Sequence, residues 1–172
     1  MAGESVSEQE EPEDLDLNWE TQLIDHLLLL SPRGFERLSQ RILPEAGFIN
    51  VIVTGRSGDG GIDGVGLYRP SLISFPVYFQ SKRYRGSVGA PVVRDFRGAM
   101  AGRGEKGLII TTGTFTRDAV EEASRDGASS VELIDGATLC QLLKDLRLGV
   151  IVTERVVENV TVDDTFFSEF IT

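Results

Sequence analysis

Gly107 to Thr112 (GLIITT) shows no alternation of polar and apolar side chains, and that limits the folds open to this chain. A strand with one face in water alternates, whereas a strand apolar throughout is buried on both faces, as in a sheet covered by helices on either side. The flanking sequence supplies such helices. Pro91–Met100 places Val92, Val93, Phe96 and Met100 at helical spacing, and Thr116 caps a segment running to Asp126. VELI at 131–134 is another strand, and Gly136–Leu146 closes the alternation with a helix.

Upstream the pattern changes. Trp19–Leu30 is a short amphipathic helix, and Ser31-Pro32 gives an N-cap and a first-turn proline to a second helix through Ile42, with Phe35, Leu38 and Ile42 at helical spacing. NVIVT (50–54), IDGVGLY (62–68) and FPVYFQSK (75–82) are short runs rich in β-branched and aromatic residues, bounded by Gly, Pro and Ser, and form three strands in a meander. Helices, meander and then alternating helix and strand predict an α/β fold with a mixed sheet covered on both faces. No internal repeat occurs. A chain of 172 residues with 41% hydrophobic content suits one globular domain, 19–149. It is flanked by an acidic disordered tail or linker at 1–18 and an acidic C-terminal extension at 150–172.

No run of eighteen apolar residues is present, and the N-terminus lacks the basic start and apolar middle of a signal peptide, so a soluble, cytoplasmic protein is expected. The single cysteine, Cys140, lies between Leu139 and Leu142 and reads as a small buried hydrophobe; His26, beside leucines, reads as structural. The net charge of −10 argues against a nucleic-acid partner until it is located along the chain. Residues 1–20 hold eight acids and no base, and residues 150–172 hold five acids against Arg155. Between 56 and 106 there are nine bases and four acids, a local excess able to hold phosphates whatever the tails do.

That basic stretch contains RSGDGGIDG at 56–64 and YFQSKRY at 78–84. In a strand Tyr78, Gln80 and Lys82 share one face while Val77, Phe79 and Ser81 share the other. Asp63 begins the preceding strand, after a glycine loop that allows close backbone approach. One carboxylate, one amide oxygen and one ammonium then converge. Such a set suits phosphodiester hydrolysis: Mg²⁺ prefers oxygen ligands and keeps waters, one of which can attack phosphorus, while Lys82 orients that water and stabilises developing charge. A second reading stays open on the same residues, in which the glycines make a hairpin turn with Asp59 in left-handed geometry, Gln80 caps a sheet edge and Lys82 lies along the strand end. The loop is no Walker A motif, since no Gly-Lys-Ser/Thr follows, and no dinucleotide fingerprint, since a strand comes next; no nucleotide cofactor is expected.

SPRGFERL, TGRSGDGGIDGV, VYFQSKRY, VGAPVVRDFRGAMAG, GLIITTGTFT and VELIDGATL follow one another in an order that resembles the catalytic domain of the Mrr family of restriction endonucleases, in the PD-(D/E)xK nuclease superfamily, across residues 27 to 150. The resemblance implies the restriction-endonuclease-like three-layer fold, a mixed central β-sheet flanked by helices. It also implies roles: Asp63 as the metal-binding aspartate, Gln80 in place of the superfamily's usual second acid, Lys82 as the catalytic lysine, and the Ser81 carbonyl as a further metal ligand. Glu36 matches a position that completes or supports the metal site. Arg83, Tyr84, Arg85, Arg94, Arg97, Thr111, Thr112 and Thr114 are candidates for contacts with the DNA backbone. Family members carry a separate N-terminal recognition domain, where this chain has only its acidic segment, so target choice is not legible.

The implied activity is an Mg²⁺- or Mn²⁺-dependent restriction-type endonuclease acting on double-stranded DNA, with an association with modified DNA, working as a homodimer so that two sites cut two strands, with no membrane partner. Two alternatives stand beside it. A structure-selective DNA repair nuclease would use the same residues on branched substrates. A non-cleaving DNA-binding or assembly module is open to a site where Gln80 brings no charge to a metal, although the retained Asp63 and Lys82 oppose it.

Overall fold

A computed structural model describes residues 12–54 and 61–171, with side chains from residue 19 onward. Its elements are α1 (Pro12–Leu29), α2 (Pro32–Glu45), β1 (Phe48–Val53), β2 (Gly64–Tyr68), β3 (Phe75–Lys82), β4 (Ser87–Val88), α3 (Ala90–Met100), β5 (Lys106–Thr111), β6 (Thr114–Phe115), α4 (Arg117–Ala123), β7 (Ser130–Ile134), α5 (Gly136–Asp145) and α6 (Asp164–Ser168). The main sheet has the order β1-β2-β3-β5-β7. The first three strands are the antiparallel meander, and β3, β5 and β7 run parallel. The sheet is therefore mixed, as its sequence pattern required.

β5 is the strand buried on both faces. Leu108 and Ile110 pack with Leu23 and Leu27 of α1, Phe35, Ile42 and Leu43 of α2, and Leu139 and Leu143 of α5. Ile109 points into a second cluster with Val93, Phe96 and Met100 of α3 and Ala119 of α4. β3 divides the same way: Val77 and Phe79 join the first cluster, and Tyr78 packs against the second. Three layers result, with helices on both faces.

The helix ends follow their caps. Ser31 Oγ accepts from the Gly34 N–H at 3.0 Å, with Pro32 at the first helical position, and Thr116 and Asp135 cap α4 and α5 in the same way. α1 begins at Pro12 rather than at Trp19. Proline suits a first helical position, so the segment read as linker also offers a helix start. The parallel pair β4–β6 escaped sequence reading because two-residue strands show no periodicity. β1 starts at Phe48, two residues ahead of the NVIVT run, and contains an irregularity between Ile49 and Ile52, with Asn50 at φ 52°. Among the described residues no helix is long and apolar enough to cross a membrane.

α3 and α4 are joined by one carboxylate. The Arg97 guanidinium bonds to the carboxylate and the backbone carbonyl of Glu122, and its Nε donates to the Ser129 carbonyl at 3.0 Å. Arg94 and Arg125 lie 3.7 and 3.5 Å from the same carboxylate, whose side chain is only 10% exposed. Glu122→Ala should leave Arg97 nearly buried without a counter-charge, at a cost of about 3–5 kcal/mol. Urea unfolding should register this as a lower midpoint with an unchanged slope; a midpoint equal to the parent's would mean that the α3–α4 contact does not depend on this pair.

Candidate active site

Because β2 and β3 are antiparallel, the start of β2 and the end of β3 lie at the same edge of the sheet, where the parallel strands also end. In open α/β sheets that carboxyl edge is where sites form. Asp63 stands one residue before β2. Its N–H donates to the Phe79 carbonyl and its carbonyl accepts from the Thr54 N–H, both at 2.9 Å, so its main chain is fixed from both neighbouring strands. Its Oδ2 accepts from the Ser81 N–H at 2.6 Å, and a side chain thus takes the place of a backbone acceptor where the ladder ends. Burial raises the Asp63 carboxyl from 3.8 to about 6; the Ser81 N–H opposes that rise and the negative charge of Glu36, on α2, adds to it.

Gln80 supplies the second oxygen. Its Oε1 is buried and has no hydrogen-bond partner among the described residues, an arrangement that costs stability unless something accepted from outside completes it. Gly61 lies against this amide at φ +89°, and a Cβ there would fall 2.1 Å from Gln80 Nε2. The backbone conformation favours glycine there, and any larger side chain would have to push the Gln80 amide aside. Lys82, partly exposed, ends β3, and no ion pair to it occurs among the described residues.

These residues fit a hard divalent cation. Among the described residues no three His, Cys, Asp or Glu side chains gather as a metal site, so a cation here would rely on the Asp63 carboxylate together with neutral oxygens such as Gln80 Oε1 and the Ser81 carbonyl. Glu36 is the second acid near Asp63, sensed through its charge. Arg56 and Asp59 lie outside the described residues.

The other candidates separate into two groups. Arg83 Nη1 donates to the Leu28 carbonyl at 3.0 Å, Arg97 is held by Glu122, and Thr112 Oγ1 is bonded to both the N–H and the carbonyl of Tyr84. Thr111 is fully buried. These four serve internal contacts that their sequence did not advertise, because the partners are distant along the chain. Arg85, the Tyr84 ring and Arg94 remain open to solvent, and Thr114 Oγ1 shares a 2.7 Å hydrogen bond with Ser87 Oγ at the surface. His26 bonds to the Gln22 carbonyl of its own helix, and burial pushes the Cys140 thiol up to about 11, so neither resembles a catalytic group.

Comparison with known proteins agrees with the fold. The Mrr catalytic-domain model, described as restriction endonuclease, matches residues 27–143. The type IV methyl-directed restriction enzyme EcoKMrr of Escherichia coli K12 is 37% identical over 137 residues, covering 75% of this chain and 43% of that enzyme. The DNA modification-dependent restriction endonuclease AspBHI superposes with a TM-score of 0.63 at 24% identity, over 86% of this chain and 41% of its own. MspJI restriction endonuclease, solved in complex with a 27-mer oligonucleotide, gives a TM-score of 0.56 at 27% identity, over 84% of this chain and 35% of its own. This chain spans less than half the length of each.

The carboxyl of Asp63 leaves a signature in stability. A folded-state value raised from 3.8 to about 6 means that its contribution is fully present below about 3.8 and is lost as pH rises through about 6. Asp63→Asn, which keeps an acceptor for the Ser81 N–H but carries no charge, should therefore gain in melting temperature relative to the parent as pH goes from 4 to 7. Parallel melting curves across that range would show that the carboxylate is not desolvated as described.

Proposed function

The chain belongs to the Mrr catalytic-domain family of restriction endonucleases, and on that premise we propose that it hydrolyses phosphodiester bonds of double-stranded DNA with a divalent cation, Mg²⁺ or Mn²⁺. The observation that carries the reading is the buried Gln80 Oε1, without a partner among the described residues, together with the desolvated Asp63 carboxylate, both at the sheet edge where β2 starts and β3 ends. Asp63, Gln80 and the Ser81 carbonyl would hold the ion, with Glu36 in support. Bound there, it would polarise a phosphate oxygen and lower the pKa of a water.

The chain's own residues do the rest. Asp63 must be ionised to hold a cation, so protons compete for its carboxylate increasingly as pH falls below about 6. The Ser81 N–H keeps that carboxylate in place. Lys82, a compact charge on a strand end, places its ammonium against the attacking water and the negative charge that develops on phosphorus oxygens. Arg85, Tyr84 and Arg94, open to solvent, and Thr114 at the surface are the groups for phosphates on either side, whereas Arg83, Arg97 and Thr112 act from within the fold. One site cuts one strand, so a homodimer is the working form on duplex DNA. The relative named as methyl-directed supports modified DNA as the target; reading the modification would fall to parts of that longer protein that this chain does not span.

A plasmid-nicking assay tests the activity. The protein with Mg²⁺ or Mn²⁺ should convert supercoiled DNA to open circles, chelator should stop it, and Lys82→Ala should lower the rate by about 10²-fold or more while melting temperature and DNA binding stay near the parent's. Parental cleavage by that variant would remove Lys82 from the mechanism. Branched substrates cut in preference to linear modified ones would favour a repair nuclease instead.

Charge at the site sets a separate expectation. With a neutral glutamine in place of a second acid, the free protein should bind Mg²⁺ weakly in titration calorimetry and more tightly with DNA present, since phosphate completes the coordination. Gln80→Glu should tighten binding to the free protein, and Asp63→Asn should abolish it with or without DNA. If Glu36→Gln alone abolished binding while Asp63→Asn did not, the metal centre would lie at α2.

A further inference from the structure

Lys82 is the last residue of β3, has four rotatable side-chain bonds, and has no ion pair among the described residues. Its aim therefore depends on how firmly its main chain is held. Strand ends fray unless their peptide groups are bonded, and here side chains add bonds where the β3–β5 ladder ends. Thr111, the β5 residue paired with Lys82, is fully buried, and its Oγ1 donates to the Lys82 carbonyl at 2.8 Å while accepting from the Gly113 N–H at 3.1 Å. Arg83 is tied to the Leu28 carbonyl at 3.0 Å. Thr112 Oγ1 closes on Tyr84 from both sides, accepting from its N–H at 2.8 Å and donating to its carbonyl at 2.9 Å. The Thr114 N–H then reaches the Gly86 carbonyl at 2.9 Å, and a Cβ on Gly113 would lie 2.1 Å from that same carbonyl, so the two segments meet backbone to backbone.

Three consecutive residues, 82 to 84, are thus anchored one by one, and at the last pair of the β3–β5 ladder the Lys82 carbonyl is held by a buried hydroxyl. A hydroxyl has one proton to give, and that of Thr111 fixes the peptide plane immediately after the Lys82 Cα, from which the side chain leaves the strand. We propose that Thr111 is a positioning residue for Lys82: its hydroxyl sets the direction of the ammonium toward the scissile phosphate and touches no DNA. This rests on the reading of Lys82 as the catalytic lysine. Thr112 extends the same clamp, so the threonines at the end of β5 act through the main chain rather than on phosphates. Catalytic groups need placement to a fraction of an ångström, and a small displacement from a residue without substrate contact lowers turnover while leaving binding alone.

Thr111→Val keeps the side-chain shape and removes the proton, while Thr111→Ser keeps the proton. Cleavage of a plasmid by both variants, by Lys82→Ala and by the parent decides the matter, with DNA affinity measured alongside. The valine variant should lose about 10- to 10²-fold in kcat with DNA affinity within about twofold of the parent, and the serine variant should recover most of that loss. The inference is overturned if Lys82→Ala is inactive and Thr111→Val cuts at the parental rate, or if Thr111→Val weakens DNA binding with kcat unchanged, which would make the threonine a DNA contact. Parental cleavage by Lys82→Ala would overturn the lysine's role first, and the inference with it. Should circular dichroism show the valine variant unfolded, Thr111→Cys, a weak donor of similar size, replaces it: a rate about tenfold below serine supports the clamp, and equal rates overturn it.

Discussion

The parallel pairing of β3 with β5 governs both halves of this molecule. β5 is apolar on both faces, so it can exist only between two helical layers, and the two clusters on either side of it account for the buried side chains of α1, α2 and α5 on one face and of α3 and α4 on the other. The same pairing sets Ile109 beside Gln80, Ile110 beside Ser81 and Thr111 beside Lys82. The strand that organises the core therefore also fixes the register of the strand that carries the candidate site residues Gln80 and Lys82. A slip of one residue would turn Gln80 and Lys82 toward α2 and Ser81 toward α3, and would expose half of each cluster, so the burial of β5 guards the site's geometry.

Much of this was legible in the sequence because periodicity reports burial. β3 was bounded at Phe75 and Lys82 from composition and turn residues alone, and the caps at Ser31 and Thr116 announced their helices. The convergence of Asp63 with the end of β3 followed from an antiparallel meander. What stayed hidden had no local cause. Arg83 finds its acceptor 55 positions away and Arg97 finds Glu122 25 positions away, so arginines that look available for phosphate are already bound inside the fold. Thr112 looked like a strand-end hydroxyl and turned out to bridge both backbone groups of Tyr84. The pair β4–β6 is too short to carry a pattern, and the start of α1 was masked by acidic residues that suit a linker and a helix N-terminus equally.

A net charge of −10 and a phosphate-binding surface are compatible because charge acts locally. Screening confines each group's influence to about 8–10 Å at physiological salt, so an acid weakens a basic surface only where it comes that close. Within the basic stretch the structure narrows the supply further: the internal bonds of Arg83 and Arg97 leave Arg85 and Arg94 as the exposed cations nearest in sequence to the site strand and to α3. Affinity for a polyanion would then come from few contacts.

The site itself is the least comfortable part of the fold. Asp63 is desolvated, the charge of Glu36 raises its carboxyl further, Gln80 Oε1 and Ser81 Oγ are buried without partners among the described residues, and Gly61 adopts a conformation that other residues avoid. Each feature weakens the folded state, and all concern the end of two strands. Proteins depart from good local design mainly at functional sites, where a ligand supplies what the chain withholds. A divalent cation between these oxygens would neutralise the carboxylate and occupy the idle acceptor at once, so its binding would stabilise the fold by mass action. The second acid omitted at position 80 limits that relief, since one more buried carboxylate would add to the repulsion that Asp63 and Glu36 already share. On the proposed reading, glutamine would trade metal affinity against the stability of the strands and would leave the last part of the coordination to a substrate phosphate.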